Sequence, residues 1–250
     1  MSYKGKGSRS QLKDNSVRKI SRRSFVEQAV VGAAALGAAA TRADAQLVYK
    51  SSDWKLAEFN RLLKDTSRVK QVFDEIQIGD GRFLNNMKNS LNGLRFGFDV
   101  PVDQIKMIGA LHGPANMLNF DDTVWQKYRI GEWLKVTDPK TGQPAVRNIY
   151  YPSKTAQTRS ASEDPNDETS SYQDASIQTL QARGVQFLCC HTATEEQARV
   201  LIKLYGLAQQ PEEIVKDLLS HLHPGILVVP AMVSAIALLQ SEGRCTYVTV

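Results

Sequence analysis

Apolar positions along this chain switch repeatedly between strand-like runs and helical spacing. The segment Val69-Lys70-Gln71-Val72-Phe73-Asp74-Glu75-Ile76 has strand character and is broken by Gly79-Asp80-Gly81. Leu84, Met87, Leu91 and Leu94 then recur at the spacing of one helix face across 83–94. A mostly apolar strand over 105–111 runs into His112-Gly113-Pro114-Ala115, a glycine turn with proline near a helix start. Further on, a short helix over 174–184 is closed by Gly184, and 185–190 reads as the next strand. A helix over 195–205 follows, for which Thr192 or Thr194 is the expected cap, with Glu195 and Glu196 suited to its positive end. A second short helix runs from Pro211 to about Leu219, and 225–230 is a buried-type strand entering an apolar helix over 232–240. Gly243 closes that helix and 246–250 forms a last strand. Near the front, 53–63 predicts a helix with Asp53 as cap and Trp54, Leu56, Phe59, Leu62 and Leu63 on one side. Strands alternating with helices predict an α/β fold: a mostly parallel sheet, covered on both faces and joined by right-handed crossovers.

Two regions break this rhythm. From 129 to 171 the composition turns polar: 138–144 is a turn, 160–171 has no periodicity, and an excursion or partly mobile loop is expected. At the start, Arg22 and Arg23 stand before a mild Ala/Gly-rich apolar run over 29–40, too short to span a bilayer comfortably. Thr41-Arg42-Ala43-Asp44-Ala45 follows, with the small-x-small pattern that signal peptidase reads. The whole resembles a bacterial twin-arginine (Tat) export signal, cleaved after Ala45. The expectation is a 1–45 signal peptide, passage through the Tat translocase in the folded state, and a periplasmic location for a single domain over 46–250.

Charge changes meaning once that boundary is drawn. The chain carries a formal +5, but nine of its 31 Lys and Arg and three of its 26 Asp and Glu precede residue 46, leaving a net charge of −1. The basic balance therefore belongs to the targeting segment, and nucleic-acid binding loses its electrostatic support. Three cysteines (Cys189, Cys190 and Cys245) are too few for a disulfide scaffold, and in a monomer at least one stays unpaired. No Walker-type loop, dinucleotide glycine fingerprint, zinc-protease helix or Gly-x-Ser-x-Gly elbow is present, so no cofactor is expected.

In an open parallel sheet, ligands gather beyond the carboxyl ends of the strands. Two such ends carry reactive side chains: His112 after the 105–111 strand, and Cys189-Cys190-His191 after the 185–190 strand. If those strands are neighbours, His112 and the cysteine pair face one pocket. A helix starting near Thr194 would lower the pKa of Cys190 and favour its thiolate, which makes Cys190 the expected reactive cysteine and Cys189 a packed strand residue. Inert core packing of both thiols is the alternative, and Cys245 reads as a buried small hydrophobe. His221 and His223, with Cys190 and His191, also offer ligand types suited to zinc or copper, although their spacing matches no standard zinc module. An adjacent Cys189–Cys190 disulfide would be strained and labile.

Three segments carry a further likeness: Gly184-Val185-Gln186-Phe187-Leu188-Cys189-Cys190, Ile226-Leu227-Val228-Val229-Pro230-Ala231-Met232-Val233, and Ala237-Leu238-Leu239-Gln240-Ser241-Glu242-Gly243. Together they resemble the DsrE/DsrF-like family, in which a Gly-Val-x-Phe-x-x-Cys strand precedes a Val-Val-Pro strand and a helix ending in Leu-Gln-x-x-Gly. The 105–115 segment is similar to that family's second strand and turn. The likeness covers about 69–128 and 175–250. It implies a three-layer α/β/α fold with a parallel five-stranded sheet, and homo-oligomers, trimeric or hexameric. It also implies sulfur carried as a cysteine persulfide between a donor and an acceptor protein, with the family cysteine falling on Cys190 or else Cys189. His191 departs from the family's small polar residue after the cysteine, and export departs from its cytoplasmic carriers. A binding or assembly module on the same fold is the competing expectation.

Overall fold

The computed structural model describes residues 51, 54–152, 164–170 and 174–249, all within the unit Tyr49–Val250. Arg22, Arg23, the cleavage position after Ala45 and the expected cap Asp53 lie outside the described residues. The elements run α1 (Leu56–Leu63), β1 (Val69–Glu75), α2 (Arg82–Asn92), β2 (Ile105–Leu111), α3 (Asp122–Lys127), α4 (Ile130–Trp133), α5 (Ile177–Ala182), β3 (Gln186–Cys190), α6 (His191–Tyr205), α7 (Pro211–Ser220), β4 (Leu227–Val229), α8 (Met232–Ser241) and β5 (Thr246–Thr249). A 3₁₀ segment, Gly113–Asn119, leads out of β2. Among the described residues no helix is long and apolar enough to cross a membrane.

The five strands form one sheet in the order β4-β3-β2-β1-β5, every neighbouring pair parallel. Alternation along each strand divides the core into two layers, because successive side chains leave opposite faces. Phe73, Met107, Leu111, Phe187 and Cys189 join the layer that holds α2, α5, α6 and α7. Val72, Ile108, Ala110, Leu188 and Cys190 join the layer under α1 and α8. The result is a three-layer α/β fold with helices on both faces. Gly109 shows how closely β2 and β3 pack: a Cβ there would stand 2.6 Å from the Phe187 ring.

Beyond α4, the described residues 134–152 of the expected 129–171 excursion hold no helix or strand, yet they are packed against the domain. Ile130, Val136 and Ala145 are buried in the layer under α2 and α6, on the face away from Cys190. Ala145 donates its N–H to the Val136 carbonyl, and its backbone occupies the space a Cβ on Gly131 would need. The 138–144 turn is present, held by Asp138 N–H to the Gln143 carbonyl at 2.8 Å and by an Arg147–Asp138 ion pair at 3.0 Å. Asn148, fully buried, donates through Nδ2 to the carbonyls of Leu118 (2.9 Å) and Phe120 (3.1 Å). The segment is thus anchored by a few polar partners buried along with it, so its polar composition does not make it a solvated loop.

Candidate functional site

β3 passes into α6 without a connecting residue: Cys190 ends the strand and is also the N-cap of the helix. Its own sulfur does the capping, accepting the Ala193 N–H at 3.4 Å. The helix therefore begins at His191, earlier than expected, and neither threonine caps it. Thr194 Oγ1 instead donates to the Cys190 carbonyl (2.9 Å), and Thr192 Oγ1 donates to the Pro230 carbonyl (2.9 Å). A second helix start converges on the same sulfur, since the Met232 N–H at the head of α8 donates to Cys190 Sγ at 3.3 Å. Asn116 braces the junction from the 3₁₀ segment: its Oδ1 accepts the Cys190 N–H (2.9 Å) while its Nδ2 reaches Thr194 Oγ1 and Gln197 Oε1, both at 3.0 Å.

The thiolate expected at this position is corrected by burial. Cys190 is 4% exposed, and its removal from water pushes the thiol pKa up despite the two N–H donors, which act to lower it. Cys189 leaves the opposite face of the strand, is fully buried, and is pushed up to about 12 by burial. All three cysteines, Cys245 included, are free and buried.

His112 continues β2 on the Cys190 side of the sheet. Its Nε2 meets Asp74 Oδ1 at 2.7 Å, and the other Asp74 oxygen accepts the Tyr247 hydroxyl of β5 at 2.6 Å. Burial acts to raise the Asp74 carboxyl, but the His112 and Tyr247 hydrogen bonds outweigh it and hold the pKa below its ordinary value. The adjacent Glu75 is buried and shifted upward, mainly by desolvation.

The other histidines part company. His191 sits edge-on to Trp54 (5.2 Å between ring centroids) with Nδ1 3.2 Å from Glu195 Oε1, and burial lowers its pKa. Glu195 is itself almost fully buried and shifted upward by desolvation. His221 pairs through Nδ1 with Asp121 Oδ2 at 3.3 Å. His223 stacks on Tyr151 (3.4 Å, 4°), and its Nε2 accepts from Asn148 Nδ2 at 3.1 Å. Burial pushes its pKa down to about 4. The two residues expected as a metal pair are thus engaged separately. Among the described residues no group of three His, Cys, Asp or Glu side chains is gathered for a metal.

Beside the Cys190 corner lies an apolar cavity of about 110 Å³, lined by Trp54, Leu56, Phe59, Val229, Pro230 and Ala231 among others. Sequence reasoning missed Asp74, Tyr247 and Asn116. Asp74 carried a signal, a carboxylate two residues after Val72 on what alternation makes an inward face; Asn116 carried one too, a polar residue inside an apolar run. The fold and corner define an α/β protein with a strand-end cysteine shared by two helix starts. No family model, no curated protein and no solved structure matches the chain.

Proposed function

We propose that this is an exported sulfur-handling protein of the DsrE-like kind, in which Cys190 accepts a sulfane sulfur as a persulfide. The observation that carries this reading is the pair of backbone donors, Ala193 N–H and Met232 N–H, aimed at one strand-end sulfur from two helix starts. Such donors favour negative charge at that position. The reaction is an exchange of one S–S bond for another: the Cys190 sulfur attacks the outer sulfur of a donor R–S–SH, the donor S–S bond breaks, and R–SH leaves with the proton Cys190 gave up. Cys190–S–SH remains. A persulfide is a stronger acid than a thiol, so the burial that keeps the resting thiol neutral leaves the loaded group nearer to ionisation, and the two N–H donors favour its anion. Trimers or hexamers, the periplasm and a partner that receives the sulfur belong to the same proposal.

A second reading, a binding module without sulfur chemistry, draws on the burial of Cys190 and on the apolar cavity beside it. The two separate in one experiment. The protein from residue 46 onward, purified without reductant, is exposed to polysulfide and weighed intact. The carrier gains whole sulfur atoms, loses them to reductant, and gains none as Cys190→Ser, in which the serine oxygen still caps α6. An unchanged mass with intact thiols supports the binding module.

A further inference from the structure

We propose that Asp74 and Tyr247 are positioning residues that hold His112 as the proton shuttle for Cys190. This rests on the reading of Cys190 as the sulfur acceptor.

The argument starts from register. Leu111 stands opposite Cys189 in the β2–β3 ladder, and His112 continues the strand with φ −145° and ψ −177°. The next pair in that register is His112 and Cys190. Ala110 and Leu188, two residues before each, lie in the same core layer as Cys190, so both side chains leave the sheet on that face. Neighbouring strands lie about 4.8 Å apart. On the far side of His112, Asp74 occupies the same face of β1, two residues after Val72. Asp74, His112 and Cys190 thus form a row across three adjacent strands at their carboxyl edge, with Tyr247 closing it from β5.

The hydrogen bonds set the tautomer. A carboxylate only accepts, so the imidazole proton sits on Nε2 toward Asp74 and Nδ1 is left as the basic nitrogen. Tyr247 binds the other carboxylate oxygen and fixes the plane of the pair. At 18% side-chain exposure, His112 is open enough to exchange protons, whereas Cys190 is nearly closed. The buried thiol is a poor nucleophile until its proton is removed. His112 takes that proton as the donor sulfur is attacked and returns it to the departing R–S⁻. The S–S bonds exchange, and one proton moves from Cys190 to the leaving thiol. The other charged groups that act on this row are Glu75, which follows Asp74 but leaves the opposite face of β1, and Glu196 on α6 near Cys190.

The test is the pH profile of Cys190 alkylation by iodoacetamide in the folded protein, resolved to the residue by peptide mass spectrometry. In the wild type the rate climbs in two steps, an imidazole step below the thiol step. His112→Gln removes the lower step and slows alkylation at neutral pH about tenfold. Asp74→Asn keeps the step but moves it to lower pH, because the imidazolium loses its carboxylate partner. Tyr247→Phe moves it less. A wild-type profile with a single thiol step, or a His112→Gln profile that overlays the wild type, overturns the shuttle. Sulfur loading followed in parallel separates the two claims. Loading with a single-step profile keeps the carrier and removes the shuttle, whereas a two-step profile without loading removes the carrier and leaves His112 as the base of a thiol with another use.

Discussion

Two regions of this molecule each hold a histidine, and their surroundings take it in opposite directions. At the carboxyl edge of the sheet, His112 is part-exposed and bonded to an aspartate that stays ionised. On the seat of the 129–152 segment, His223 is buried against the Tyr151 ring, and an amide, Asn148, supplies its hydrogen bond. A carboxylate partner favours the imidazolium, whereas a stacked ring, an amide donor and burial favour the neutral form. The same side chain is therefore a part-exposed partner of a carboxylate in one place and a packing piece in the other. The difference comes from partners contributed by distant segments: Asp74 and Tyr247 in one case, Asn148 and Tyr151 in the other.

The contrast is broken most severely at Asn148. Asn148→Ala removes the one amide NH2 shared by the Leu118 and Phe120 carbonyls and His223 Nε2, and losing its two hydrogens costs about 2–4 kcal/mol by the usual cost of orphaned buried groups. Thermal unfolding should fall by about 10 °C for a domain of this size. Sulfur loading measured well below the new midpoint should be retained, because Asn148 serves the layer away from Cys190.

Acid gives the next largest effect. The folded His223 pKa, about 4, lies below its unfolded value, so this histidine leaves stability intact above about 6.5. As the pH falls from there toward 4, the unfolded chain binds the proton first and stability drops. Between pH 7.5 and pH 5 the His223 share is about 2 kcal/mol. Urea midpoints at those two pH values check this: His223→Gln should shrink the difference by about that amount, and an unchanged difference would show that His223 is not held neutral.

Smaller effects sharpen the cysteine pair. Cys189→Ser puts a hydroxyl into the apolar layer beside Thr194 and should lower stability by about 1–2 kcal/mol without touching sulfur loading. Tyr247→Phe removes one hydrogen bond at an exposed edge and should change stability by less than about 1 kcal/mol in a urea melt.

Much of the framework was legible because each strand is an apolar run bracketed by turn residues. Ile105–Leu111 keeps the bounds its composition predicts, and 69–76 loses one residue at its end. The start of α6 was misplaced for a physical reason: capping rules favour Ser, Thr, Asp and Asn, and here the strand's last sulfur accepts the capping N–H. Cys190 was found by its strand-end position, but its burial was not, because the helix α8 that covers it follows about 40 residues later. The Tyr247–Asp74–His112 chain was invisible because it depends on strand order. β5, last in sequence, inserts beside β1, and only that placement brings Tyr247 to Asp74. Polar composition hid the packing of 129–152, whose anchors, Asn148 and Asp138, look like loop residues until their partners are known.

The central claim is that the two adjacent cysteines differ in chemistry because they leave opposite faces of β3. The most direct measurement is the intact mass of the wild type, Cys189→Ser and Cys190→Ser after exposure to polysulfide. Reductant-labile sulfur on the first two and none on the third is the predicted result. Equal loading of all three, or loading lost with Cys189 instead, would contradict the account.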